Sequence, residues 1–171
     1  MAGDDSHEMW QQAVSFAARA HDGQMRKDGR TPYIAHPMRV AFTVRHVFGV
    51  DDETALVAAL LHDTIEDTTT DYDDLMALFG QEVADAVAAL TKDARLVEQQ
   101  REATYDRTLA NASWQARLVK LADAFDNYSD ALDDQMRTKA REKAKRAIAC
   151  AGDDARLQQA VAAVQALIGE G

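Results

Sequence analysis

Two prolines, Pro32 and Pro37, are the only ones in 171 residues, and both fall in one short segment. Proline removes a backbone donor and its ring clashes with the preceding helical turn. A loop is therefore expected there, and uninterrupted helix can form nearly everywhere else. Apolar residues recur every three to four positions along the rest, a pattern that predicts an all-α fold of roughly eight to ten helices. A chain of this length suits one domain over residues 1–171, able to bury most of its apolar surface and without room for a second catalytic module.

Ser6 is placed to cap a first helix that carries Trp10, Val14, Ala17 and Ala18 and runs to about His21. A second helix is expected from Pro37, with Met38, Val40, Ala41, Val44 and Val47 on its apolar side and Gly49 as its stop. Asp51 or Asp52 caps a third, which ends in the cluster at 62–67. Asp71 opens a short fourth helix, and Gly80 separates it from a fifth bearing Val83, Val87 and Leu90. A more polar sixth is expected over about 94–111. Ser113 caps a seventh with Leu118, Leu121, Ala122 and Phe125 inward, and two packing helices without chemistry, about 136–150 and 154–168, complete the chain. His7 and His46 read as surface residues. His21 reads as a cap on the negative end of the first helix, and the run 26–30 as a solvated loop.

With 19 basic against 29 acidic side chains the formal charge is −10, spread along the chain, which argues against nucleic acid as a partner. A phosphorylated small molecule stays compatible, because local cations or a metal reverse the field inside a pocket. The single cysteine, Cys150, excludes an internal disulfide framework and fits a reducing compartment as a buried spectator thiol. The first residues are acidic and lack an apolar signal core. No run approaches the roughly 18 apolar residues of a membrane span, so a soluble, cytoplasmic protein is expected. The pattern specifies no oligomeric state.

The chemistry concentrates in Leu60-Leu61-His62-Asp63-Thr64-Ile65-Glu66-Asp67-Thr68. An apolar approach, Leu56, Val57, Leu60 and Leu61, ends in an imidazole and three carboxylates. Uncompensated buried carboxylates cost several kcal/mol or take up protons, and a bound cation removes the problem. On a helix His62 and Glu66 share one face and Asp63 and Asp67 another, while neighbours splay by about 100°. His62 and Asp63 can then reach one ion only at the helix end, and further ligands must come from elsewhere. The candidates are His36, directly before Pro37, and Asp123, which interrupts the apolar run that begins at Leu118. Lys120 and Asn127 flank Asp123 by one turn on either side, in one polar stripe.

In this order, several stretches resemble the HD-domain phosphohydrolases, and within them the RelA/SpoT-type alarmone hydrolases, above all small single-domain members such as the metazoan SpoT homologues. They are 20–37, which ends in Pro32-Tyr33-Ile34-Ala35-His36-Pro37; 58–68; Phe79-Gly80 with 83–87 and Leu90-Thr91-Lys92; and Lys120-Leu121-Ala122-Asp123 with Asn127. Together they cover about 110 residues, and the combination is far more specific than a bare His-Asp pair. The resemblance implies an HD-type helical bundle in which His36, His62, Asp63 and Asp123 hold one divalent metal, usually Mn(II) in that family. By donor chemistry alone Mn, Fe and Zn all suit two imidazoles and two carboxylates. The resemblance further implies that Glu66 and Asp67 form an acid/base pair of unassigned individual roles, that Arg26, Lys27 and Asn127 line the nucleotide site, and that Lys120 meets phosphate. The implied reaction removes the 3′-pyrophosphate of guanosine tetra- or pentaphosphate to leave GDP or GTP.

Two departures stand out. Many family members carry Arg directly after the Lys-Leu-Ala-Asp element and His or Tyr just before the Asn, where this chain has Ala124 and Asp126. Asp28 and Asp130 also stand where less acidic residues are common. Asp126 is expected to add negative charge near a polyanionic substrate unless it turns away, and such changes would retune base preference, for example towards adenosine alarmones. Phosphatase action on the 2′-phosphate of NADPH or on a nucleoside monophosphate is an alternative. A non-catalytic nucleotide sensor is a third reading, against which the intact Glu66 and Asp67 pair argues.

Overall fold

The computed structural model describes residues 5–169, with side chains from Met9 onwards; Ser6 and His7, the expected cap and the expected surface residue, lie outside the described side chains. The described elements are α1 (Asp5–Ala20), α2 (Ala35–Phe42) extended by a π-helical turn (Thr43–Val47), α3 (Glu53–Leu61), α4 (Thr64–Asp67), α5 (Tyr72–Phe79), α6 (Gln81–Leu90), α7 (Glu98–Ala110), α8 (Trp114–Ser129), α9 (Asp134–Ala151), a 3-10 turn (Ala155–Leu157) and α10 (Gln158–Ile168). Among the described residues extended backbone pairs only at the bridge between Met25 and Pro32, which closes the proline loop.

α3 and α8 form the centre. Ala55, Val57, Ala58, Ala59, Leu60 and Leu61 of α3 are all buried, as expected of a helix apolar on every side, and α3 packs on α1, α2, α6 and α8. α8 buries Leu118, Val119, Leu121 and Ala122 and packs on α2, α3, α6, α9 and α10. Burying each of these leucines stabilises the fold by about 1.5–3 kcal/mol. Asp123 lies within α8, and His62 and Asp63 follow directly on the end of α3, so three of the four candidate metal residues are held by these two well-buried helices.

The caps explain where the helices begin. Asp52, not Asp51, accepts from the Ala55 amide at 2.8 Å to start α3, Asp71 and Asp74 form a reciprocal capping box on α5, and Ser113 accepts from the Ala116 amide to start α8. Gly80, at φ 82°, turns the chain between α5 and α6 as expected. Four expectations need correction. Val47, expected on the apolar side of the second helix, is exposed at the end of the π-helical turn. α1 buries Ala13 and Ala17, while Trp10, 42% exposed, and Ala18 face outward: the small alanines let α1 approach α3, which rotates the apolar face by one position. α2 starts at Ala35, so His36 lies inside its first turn. α7 begins at Glu98, because the Asp93 side chain accepts from the Arg95 amide and pairs with the Arg95 guanidinium, an alternative to helical bonding for 91–97.

Candidate active site

Three pieces of backbone meet at the site: the first turn of α2, the break between α3 and α4, and the middle of α8. The helix is interrupted by a turn at His62 and Asp63, where Asp63 is distorted to φ −100°, ψ −2°, and the Thr64 hydroxyl donates to the Leu61 carbonyl at 2.7 Å, satisfying a group the break leaves open. The bend brings His62 and Asp63 together although neighbours on a straight helix splay. His62 Nε2 lies 3.0 Å from Asp63 Oδ2 and 3.8 Å from Asp123 Oδ1; His36 Nε2 lies 3.2 Å from Asp123 Oδ1 and 3.5 Å from Asp63 Oδ2. His36, His62 and Asp123 each place a donor atom within 4.8 Å of the other two, and Asp63 joins them from the side. All four residues expected to bind metal therefore converge.

The donor chemistry fits a cation. His62 Nδ1 donates to the Ala59 carbonyl at 2.8 Å, which leaves Nε2 buried, without a hydrogen-bond partner among the described residues, and directed at the two carboxylates. Burial disfavours a charged imidazole, yet Asp63 and Asp123 push His62 up to about 9; His36 also rises against burial, through Asp123 and Asp126. Burial would raise the two acids, but the imidazoles hold Asp63 well below the usual carboxylate range, and Lys120 with the imidazoles does the same for Asp123. The centre thus calls for positive charge between its donors. A His/His/Asp cluster of this kind could hold a metal ion, and its mixed N/O donors suit a borderline divalent ion.

Glu66 and Asp67 stand exposed at the rim. Glu66 Oε2 accepts from the Lys92 amide at 2.9 Å. Partial burial raises both acids above their ordinary values and the charge of Asp63 adds to it, with the Lys92 amide opposing for Glu66 and the Tyr33 hydroxyl for Asp67. Tyr33 has a part the sequence reading did not assign: its hydroxyl donates to Asp63 Oδ2 at 2.6 Å, within 3.4 Å of Asp67 Oδ2. Its position in the Pro32-Tyr33-Ile34 element was the available signal. His21 does not cap α1. Its buried ring lies 4.7 Å from Tyr33 and Nδ1 donates to Gln24 Oε1 at 2.9 Å, so it packs beneath Tyr33 instead.

On the opposite side Lys120 Nζ reaches Asp123 Oδ2 at 2.7 Å, and the Asn127 amide donates to Asp123 Oδ1. The two residues, with Lys92, Lys143 and Arg146, line a cavity of about 50 Å³ between α7, α8 and α9. α9, expected only to pack, therefore brings two cations to the site; no motif marks them. Arg26 leaves the solvated loop to donate to Asp130 Oδ2 at 3.0 and 3.1 Å and to Asn127 Oδ1 at 3.2 Å, its guanidinium 5.6 Å from the Tyr33 ring centre. Lys27, Asp28 and Arg30 stay exposed, and Asp28 ties the turn by accepting from Arg30 and Thr31. Lys27 touches none of the four converging residues. Asp126 turns inward, 5% exposed, and does not face the cavity.

An HD-domain family model matches residues 13–158. Over 120 residues the chain is 42% identical to the guanosine-3′,5′-bis(diphosphate) 3′-pyrophosphohydrolase MESH1 of Xenopus tropicalis and 43% identical to that of Homo sapiens, spanning 70% of this chain and 67% of each relative. A solved structure, described as a metazoan orthologue of SpoT that hydrolyses ppGpp and plays a role in starvation responses, superimposes with a TM-score of 0.79 at 29% identity, covering 95% of this chain and 97% of that one.

Proposed function

Because this chain belongs to the HD-domain family, we propose that it is a metal-dependent hydrolase that removes the 3′-pyrophosphate of guanosine tetra- or pentaphosphate, leaving GDP or GTP. The observation that carries this reading is the convergence of His36, His62, Asp63 and Asp123, with a pair of raised carboxyls at the rim and cations across from it. The metal is assigned to those four residues, with Mn(II) as the ion. When bound, such an ion makes water more acidic and neutralises phosphoryl oxygens.

The protein's own groups supply the rest. Tyr33 holds Asp63 in its orientation, and Lys120 does so for Asp123. The attacking water oxygen bonds to the phosphorus next to the ribose, the bond from that phosphorus to the 3′-oxygen breaks, and the 3′-oxygen takes up a proton. Glu66 and Asp67 form one coupled acid/base system that removes the proton from water and returns one to the leaving oxygen; burial and the charge of Asp63 raise the proton affinity of both, the direction that task needs. Arg26, Lys27 and Asn127 bind the nucleotide, Arg26 through its planar cation, and Lys120 meets phosphate. The reaction is placed in the cytoplasm, on the alarmones of the stringent response.

The test is incubation of purified protein with Mn(II) and ppGpp, beside an adenosine alarmone, NADPH and nucleoside monophosphates, with separation of products. GDP and pyrophosphate are expected, at the highest turnover of the panel. Cleavage of another nucleotide without release of GDP and pyrophosphate from ppGpp would overturn the substrate. Tight binding without turnover of any member would make the protein a sensor.

A further inference from the structure

We propose that Asp126, clamped by Arg39, is a positioning residue of the metal centre that fixes His36 with its Nε2 turned to the ion. The ligand role of His36 rests on the reading above; what Asp126 does to His36 rests on geometry. Asp126 lies three residues beyond Asp123, on the same face of α8. It is buried, and its Oδ2 lies 2.6 Å from His36 Nδ1. Arg39, one turn along α2 from His36, forks onto the same carboxylate, Nε to Oδ1 at 2.6 Å and a terminal nitrogen to Oδ2 at 3.0 Å.

A carboxylate gripped by a guanidinium stays ionised and can only accept, so the shared proton belongs to His36 Nδ1. The neutral ring then keeps its lone pair on Nε2, the atom 3.2 Å from Asp123 Oδ1. This is the carboxylate–histidine–metal arrangement, in which the outer carboxylate fixes ring orientation and makes the ligand a better donor. His62 receives the same tautomer from a neutral partner, the Ala59 carbonyl. The two imidazoles are therefore unequal, and His36 is the more strongly polarised.

Arg39 has a second part. It also reaches Asp130 Oδ2 at 3.0 Å, the oxygen that Arg26 holds, and Arg26 donates to Asn127, which donates to Asp123. The acidic residues at 126 and 130 are thus neutralised within a network that begins and ends on residues assigned to the ion. This accounts for a carboxylate at 126 beside a polyanion site: its charge is spent on His36 and Arg39 and is not shown to the substrate.

The test is direct titration of metal-free protein with Mn(II), following loss of the free-ion EPR signal, for wild type, Asp126→Ala and Asp126→Asn. Asp126→Ala should weaken Mn(II) binding by about 10–100-fold. Asp126→Asn, nearly isosteric and still able to accept from Nδ1, should fold like wild type by circular dichroism and fall between the two. In metal-free protein held alkaline enough for a neutral imidazole, the ¹⁵N signals of His36 should report an Nδ1–H ring in wild type and a mixture of tautomers in Asp126→Ala. Should Asp126→Ala not fold, Asp126→Asn decides. Mn(II) affinity within about threefold of wild type in the folded variants, with unchanged ¹⁵N signals, would overturn the proposal. Since ion binding is read without any nucleotide, that failure would leave the assigned substrate untouched, and a failed hydrolysis assay would leave this result standing.

Discussion

Replacing Glu66 by Gln isolates the acid/base step from the metal site. The side chain is exposed, accepts a single hydrogen bond from the Lys92 amide at 2.9 Å, and is not one of the four residues assigned to the ion. A glutamine oxygen can accept the same bond, so folding stability should change by no more than about 0.5 kcal/mol. What is lost is the charge and the transferable proton. Positioned acid/base groups contribute about 10²–10⁴ in rate, so kcat should fall by that factor, or about 2.7–5.4 kcal/mol of transition-state stabilisation. KM should change little if Glu66 acts only in the transition state. The assay is steady-state release of pyrophosphate from ppGpp at saturating Mn(II), with Mn(II) affinity measured on the same preparation. A kcat within about threefold of wild type, or a loss restored by more Mn(II), would refute an acid/base role for Glu66.

Other outcomes follow from the same contacts. Chelation by EDTA should abolish hydrolysis and lower the melting temperature, and excess Mn(II) should restore both, since an ion at 100 times its Kd adds about 2.7 kcal/mol to the folded state. A melting temperature indifferent to Mn(II) would contradict a site in the folded core. Leu118→Ala, which empties a fully buried position on α8, should cost about 2–5 kcal/mol in urea unfolding; a smaller loss would mean that α8 is not the packing centre. Burial would raise Glu102, but Lys92 and Arg146 bring it from 4.5 down to about 2. A depressed carboxyl stabilises fully above its unfolded value and loses that contribution as pH falls through the folded one. The stability deficit of Glu102→Gln should accordingly be largest near neutrality and shrink between pH about 4.5 and 2; a deficit that grew on acidification would show the opposite coupling.

The sequence carried the helices whose boundaries depend on local chemistry. Asp71, Ser113 and Gly80 act where side-chain caps and a positive φ place them, and Val83, Val87 and Leu90 point inward at helical spacing. It misjudged α1, where Trp10 is the larger apolar residue but Ala13 and Ala17 allow the closer approach to α3, a matter of tertiary fit that periodicity does not encode. The converging residues were legible because motifs mark them. Helical geometry alone would have separated His62 from Asp63, and only the break at Asp63 reconciles the two. Contacts made by long side chains from distant elements were not legible. Arg39 and Asp126 are 87 positions apart and Arg26 and Asp130 104 apart, and nothing in either local run signals the pair. Asp126 accordingly read as a charge near the substrate unless it turned away, and it does turn away, onto His36. The part of α9 in the cavity was hidden for the same reason.

The most direct measurement is anomalous diffraction from crystals of the protein grown with Mn(II). One strong peak is expected, within about 2.0–2.3 Å of His36 Nε2, His62 Nε2 and one oxygen each of Asp63 and Asp123. A peak elsewhere, or one that leaves any of these four donors out of reach, would contradict the account.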